Sequence, residues 1–149
     1  LKISIREESL IFLDDRISDL EYLYDDIVNF IDNGRGIGEE VCDYCLGVRA
    51  PDSSDNPEKA VISLKNDRET DYKVYIAVQN ELVAAYNTLR NRAFKRLNPN
   101  TGIDYVQADK IYNDPRTGST EKERLKPMLD EVKVLFPMKL SEAEPSKTN

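Results

Sequence analysis

Cys42 and Cys45 are the only thiols of this chain and stand as Cys-Asp-Tyr-Cys. That spacing suits a redox pair, half of a zinc site, or a local disulfide. A redox pair of this kind follows a strand and opens a helix. Here the pair follows Glu39-Glu40-Val41 in a glycine-bearing stretch instead. A structural zinc site takes four sulfur or imidazole ligands; two cysteines and no histidine fall short. What remains is a local disulfide or two packed thiols. The lack of histidine also removes the commonest general base and excludes Ser-His-Asp and Cys-His triads. We therefore expect no catalytic residues, no metal and no cofactor.

Carboxylates are the next chemistry-bearing set. Asp67, Glu69 and Asp71 cluster before a helical pattern, where acid/base work or calcium binding competes with helix capping. Capping is the simpler reading, since side-chain oxygens satisfy free amides at a helix start. Asp14-Asp15 and Asp25-Asp26 read as solvated turn and helix-face charges. Tyr22, Tyr24, Tyr72, Tyr75 and Tyr86 could anchor a glycan or peptide, or pack helices on a sheet with hydroxyls at the edge. The run Gly34-Arg35-Gly36-Ile37-Gly38 lacks a following Gly-Lys-Ser/Thr, so it is no phosphate loop.

These residues must be positioned by the surrounding elements. At 149 residues the length suits one domain, with room for a large insertion. The net charge of −7 argues against nucleic acid and against adhesion to an anionic membrane surface. Residues 2–6 alternate polar and apolar, with Ile3 and Ile5 on one face, and residues 9–13 read as a more buried strand. Asp14-Asp15-Arg16 reads as a turn. Ser18 and Glu21 have capping-box spacing. Leu20, Leu23, Ile27 and Ile31 then recur at helical spacing, giving a helix over 19–32 stopped by Asn33-Gly34. Residues 35–59 read as loop, with a helical turn within 39–45.

A third strand is expected over 60–64 and a long helix over 71–97. Val74, Tyr75, Val78, Leu82, Ala85, Leu89 and Ala93 form the apolar face of that helix. A short helix over 104–113 follows. A further helix capped by Thr120 runs to 135, interrupted or bent at Pro127. A last strand is expected over 138–142, with Met138 and Leu140 facing the core, and a polar tail over 145–149. The fold class expected is α+β in two layers: a short mixed sheet covered on one face by two long helices, with a helical insertion.

The order of these elements resembles the biopolymer-transport ExbD/TolR family. Ile17-Ser18 occupies the place of the family's Val/Ile-Ser/Thr pair at a helix start. Asn66-Asp67 stands at its Ala-Asp pair, Tyr72 at its Tyr, and Ile76, Val78 and Leu82 at its helix core. Ala85 fits the family's Ala, but Tyr86 replaces the expected Gly. The helix is therefore expected to run on, with residues 86–137 inserted before the final strand.

The resemblance implies a periplasmic domain of a bacterial inner-membrane protein, whose N-terminal membrane anchor this chain does not include. It implies work by protein–protein contact within a proton-motive-force transducer. The implied partners are a second copy, an ExbB/TolQ-like membrane protein and a TonB/TolA-like periplasmic protein. The alternative is a TolR-like module binding peptidoglycan. Partner contact falls to Asp67, Tyr72, Met138 and Leu140. The family's proton-handling aspartate lies in its membrane helix, so no residue here receives that role. In a periplasmic setting, a disulfide between Cys42 and Cys45 is chemically reasonable.

Overall fold

The computed structural model describes residues 1–143; the polar tail expected over 145–149 lies outside them. The chain divides into two compact units. One is Leu1–Ala85 with the segment from Lys139 onward, and the other is Tyr86–Met138.

In the first unit, β1 (Lys2–Arg6) turns through Glu7–Ser9 into β2 (Leu10–Leu13). A tight turn at Asp14, with φ of 52°, leads into β3 (Arg16–Ser18). Then come α1 (Leu20–Ile31), a long loop, β4 (Ile62–Asn66) and α2 (Tyr72–Leu97), with β5 (Leu140–Ala143) last. The five strands form a mixed sheet in the order β3-β2-β1-β4-β5. β1–β2 and β2–β3 are antiparallel, while β4 runs parallel to both β1 and β5. The fold is α+β in two layers.

Register shows how the layers form. Ile5 lies opposite Ile11 and Asn66, and Ile3 opposite Leu13 and Leu64. Since side chains alternate between faces of a strand, these residues share one face. Ile3, Ile5, Ile11, Leu13, Ile62 and Leu64 are all buried. Two contacts fix both helices on that face. Ser18, opposite Ile11, donates its hydroxyl to Asp26 of α1 at 3.4 Å. Glu142, opposite Leu64, accepts from Gln79 of α2 at 2.8 Å. The helices bring Leu23, Ile27 and Ile31 of α1 and Val78, Leu82 and Ala85 of α2, all buried.

Several element ends differ from the sequence reading. Arg16 is not turn but the first residue of β3. The chain is therefore still extended at Ser18, and the helix cap falls to Asp19, whose Oδ1 accepts the Glu21 amide at 3.3 Å. The expected Ser18–Glu21 box is replaced by this cap. The helical turn within 39–45 is a single turn of 3₁₀ helix, Gly38–Glu40. The third strand of the sequence reading is β4, displaced two residues to Ile62–Asn66.

The second unit packs the end of α2 with α3 (Tyr105–Asn113) and α4 (Ser119–Leu135). Asp104 and Gln107 form a reciprocal capping box on α3. Arg90 donates through Nε to the Phe136 carbonyl at 3.0 Å and lies over the rings of Tyr86 and Tyr105. Leu125, Leu129 and Val132 present one buried stripe of α4. Gly118, not Thr120, occupies the N-cap of α4, and the helix continues through Pro127 as one element.

Candidate functional site

The residues expected to meet partners fall at two places, and the two cysteines at a third. Asp67 and Tyr72 flank the junction of β4 and α2. The Asp67 amide donates to the Ile5 carbonyl at 2.9 Å, extending the β1–β4 ladder by one bond. Its carbonyl accepts from both the amide and the hydroxyl of Thr70, at 3.2 and 2.7 Å. The Thr70 hydroxyl also meets Asn66 Oδ1. Asp71 caps α2, its Oδ1 accepting the Lys73 amide at 2.9 Å. The junction is thus tied down by its own backbone, and capping accounts for Asp71. Tyr72 stands exposed at 69%, its ring centroid 6.2 Å from that of Tyr75.

Leu140 opens β5, paired with Ile62 and half-buried on the helix-covered side. Met138 does not join it. The strand begins two residues later than expected, and Met138 is 39% exposed, outside the sheet. The expectation that Met138 faces the core is therefore corrected. An apolar residue before Lys139 extends the alternation on paper, but the ladder to β4 starts at the Lys139 carbonyl, which accepts the Ile62 amide at 2.9 Å.

Beside β5 lies a polar clasp that the sequence did not announce. Gln79 Nε2 donates to the Tyr75 hydroxyl at 3.1 Å and to Glu142 Oε1 at 2.8 Å. Burial, then the Glu142 carboxylate, pushes the Tyr75 phenol above its ordinary range. Tyr75 and Gln79 are one helical turn apart, a visible pairing. Their strand partner is distant in sequence, and no local signal points to it.

The third place is the loop between α1 and β4. Cys42 and Cys45 are joined in a disulfide, which resolves the choice left open above. Both are buried. Asn33, expected only to stop α1, is the anchor of this loop. It is 1% exposed and bonds to Ala50 and to the Ser54 carbonyl through its side chain. The Gly34 stop is real, with φ of 71°. It also keeps clear of Cys45, because a Cβ there would stand 2.8 Å from the Cys45 Cβ. Arg35 bonds Asp55 at 2.7 Å and also meets the Pro51 carbonyl.

An open cleft of about 590 Å³ lies between this loop, α1 and the β2–β3 turn, lined in part by Asp14, Arg16, Asn29, Asp52 and Ser53. The tyrosines divide. Tyr86 is buried, Tyr24 and Tyr75 are half-buried, and Tyr22 and Tyr72 are exposed. Among the described residues, no group of three or more His, Cys, Asp or Glu is placed to hold a metal ion, and no helix is long and apolar enough to cross a membrane.

Compared with known proteins, the chain matches no family description, no curated protein and no solved structure.

Proposed function

We propose that this chain is the periplasmic domain of an ExbD/TolR-like component of a proton-motive-force transducer in the bacterial inner membrane. One observation carries the reading. The order hairpin, helix, strand, long helix, final strand is the order that the resemblance implies, and here it builds one mixed sheet with β5 at its edge. In this reading the domain is no enzyme. It works by contact with a second copy, an ExbB/TolQ-like membrane protein and a TonB/TolA-like periplasmic protein. A tethered domain would change partner or spacing as membrane helices respond to protons. Strand addition at β5 suits such contacts, since backbone bonds supply affinity and alternate side chains supply selectivity.

The cleft lined by Asp14, Asn29, Asp52 and Ser53 favours a second reading, a TolR-like module on peptidoglycan, because hydroxyl-rich sugars bind through such groups. Pull-down of the purified chain with TonB-like periplasmic peptides and with muropeptides tests both. Retention of the peptides supports the transducer. Retention of muropeptides alone transfers the function to the second reading, and retention of neither overturns both.

A further inference from the structure

The sheet has a second face, opposite the helices, and its composition departs sharply from the rest of the chain. Lys2, Ser4 and Arg6 of β1 alternate with Ile3 and Ile5, so they point the other way; Lys2 and Arg6 are exposed there, while Ser4 between them is buried. Ser4 lies opposite Phe12 on one side and Lys65 on the other, and Phe12 lies opposite Ile17. The Arg6 guanidinium sits 4.0 Å from the Phe12 ring centroid, which confirms that the two share this face. Leu10, opposite Arg6, is 44% exposed, and Ile17 is 69% exposed.

The charge of this face is one-signed. Its strand positions carry Lys2, Arg6 and Lys65 and no carboxylate. The remaining positions are apolar residues and the hydroxyls of Ser4, Ser63 and Ser141. The acids nearest in sequence, Glu7, Glu8, Asp14, Asp15, Asp19 and Asp67, all lie beyond the strand ends, and Asp14 Oδ1 accepts the Lys2 amide at 3.0 Å. Glu142 points to the helix side, where it meets Gln79. Among the described residues, no ion pair uses Lys2, Arg6 or Lys65. Subtracting these three positive charges from the net −7 leaves −10 on everything else. A basic patch on so acidic a body is a directed feature of the field.

Cations and apolar side chains also divide the face between them. Lys2, Arg6 and Lys65 occupy the central strands β1 and β4, whereas Leu10, Phe12 and Ile17 occupy β2 and β3. Lys2 and Arg6 are separated by about 13 Å along β1, at roughly 3.3 Å per residue. Lys65 stands on the neighbouring strand between them, beside Ser4.

We propose that the sheet face opposite α1 and α2 is a docking surface for a short acidic and apolar segment of a partner protein. Its carboxylates would meet Lys2, Arg6 and Lys65, and its apolar side chains would cover Leu10, Phe12 and Ile17. Charge complementarity selects this occupant over the others. A long polyanion such as nucleic acid would run off a three-cation patch onto a surface of opposite preference, and one aromatic ring already under a guanidinium is no stacking platform for bases. An anionic bilayer would meet the same acidic surroundings. A second copy placed face to face about a two-fold axis would set these cations against themselves. The inference rests on register and charge, and it stands or falls separately from the transducer reading.

The test uses the whole chain and a fluorescein-labelled peptide alternating Glu with Leu or Phe. Oligo-dT and phosphatidylglycerol vesicles are measured alongside. We expect the peptide to bind, to weaken as salt rises, and to shift the amide resonances of β1, β2 and β4. The triple variant K2E/R6E/K65E should lose at least tenfold in affinity. The milder K2Q/R6Q/K65Q should lose several-fold, which covers any failure of the reversal to fold. Reversal of three cations in the second unit, K95E/K122E/K133E, should leave binding unchanged. No binding, equal loss in the second-unit variant, or tighter binding of oligo-dT or vesicles would overturn the proposal.

Discussion

Asn33 and Ala50 are paired in both directions: the Asn33 side-chain amide donates to the Ala50 carbonyl at 3.0 Å, and its oxygen accepts the Ala50 amide at 2.8 Å. The same amide reaches the Ser54 carbonyl at 2.9 Å. One buried side chain thus holds the far end of the α1–β4 loop against the end of α1. Replacing it with Ala removes three hydrogen bonds: the Ala50 and Ser54 carbonyls keep the Ser53 and Arg35 amides at 3.3 and 3.2 Å, but the Ala50 amide loses its acceptor, and each lost bond costs about 0.5–1.5 kcal/mol net. Asn33→Ala should therefore lower the urea midpoint by the equivalent of about 2–4 kcal/mol and open the 46–56 segment to protease. An unchanged midpoint would remove Asn33 as the anchor. Asn33→Asp keeps the acceptor but sets a buried carboxylate oxygen against the Ala50 and Ser54 carbonyls, and at neutral pH it should cost at least as much as Asn33→Ala.

The disulfide should be a modest brace. Its closed loop is short, and loop-closure entropy for about four residues amounts to roughly 2 kcal/mol. Both sulfurs belong to buried residues, so alkylation should require unfolding as well as reduction. Cys42→Ala with Cys45→Ala should lower stability by that amount or slightly more and leave the sheet intact. Gly34→Ala should be poorly tolerated, because this buried position combines φ of 71° with a 2.8 Å approach to Cys45 Cβ. Thermal melts of the variants with and without reductant check the ranking.

Leu82 is 2% exposed on the core face of α2, whereas Lys73 near its start is exposed. Leu82→Ala should cost about 2–5 kcal/mol, as large-to-small changes in cores do. Lys73→Ala should cost under about 0.5 kcal/mol. Urea midpoints in the reverse order would mean the helix faces are misassigned.

The same helix shows what was legible in the sequence. Apolar spacing of 3.6 is a local signal and marks α1 and α2 to within a residue, while turn and cap residues bound α3 and α4 to within two. Alternation likewise marks β1, and short buried apolar runs mark β2 and β4. β3 was hidden because Arg-Ile-Ser is three residues long and borders a helix cap. Only pairing with β2 makes it a strand, and pairing is not local. Met138 drew the last strand too early for the same reason. The cationic sheet face needed register most of all. Lys2, Arg6 and Lys65 are ordinary surface residues in sequence and become a cluster only when β4 is set parallel to β1.

Asp55 makes the loop acid-sensitive. The hydrogen bond from Arg35 holds its carboxyl below the usual carboxylate range, against the opposing effect of desolvation. A depressed folded value means the stabilisation is present above the unfolded value near about 4 and is lost as pH falls through the folded one. The Gly36 amide, bonded to the Asp55 carbonyl at 2.9 Å, is the local reporter. Its environment should change in acid at the same pH as the Asp55 carboxyl titrates. Arg35→Gln should return that titration to the ordinary range, and 1 M salt should move it the same way, since the pair is exposed. A titration indifferent to Arg35 would discard this account.

β5 offers the sharpest test of edge pairing. Among the described residues no strand lies on its outer side, and its last three described residues are exposed. Ile62 lies opposite Leu140, and its amide donates to the Lys139 carbonyl. In a parallel ladder the next bond then comes from the Ser141 amide, so the Leu140 amide points away from β4 toward the free edge. Proline at the two positions should therefore act differently. Ser141→Pro removes a ladder donor and should weaken the sheet, with a lower melting temperature and loss of the Gln79–Glu142 clasp. Leu140→Pro removes an edge donor. It should cost stability mainly through the half-buried leucine, to the extent that Leu140→Ala does, while blocking any strand that adds to the edge. A partner that binds through this edge should tolerate Leu140→Ala and reject Leu140→Pro. If both variants bind a TonB-like peptide equally well, strand addition at β5 is not how this domain meets it, and the contact must be sought elsewhere, beginning at the exposed Tyr72.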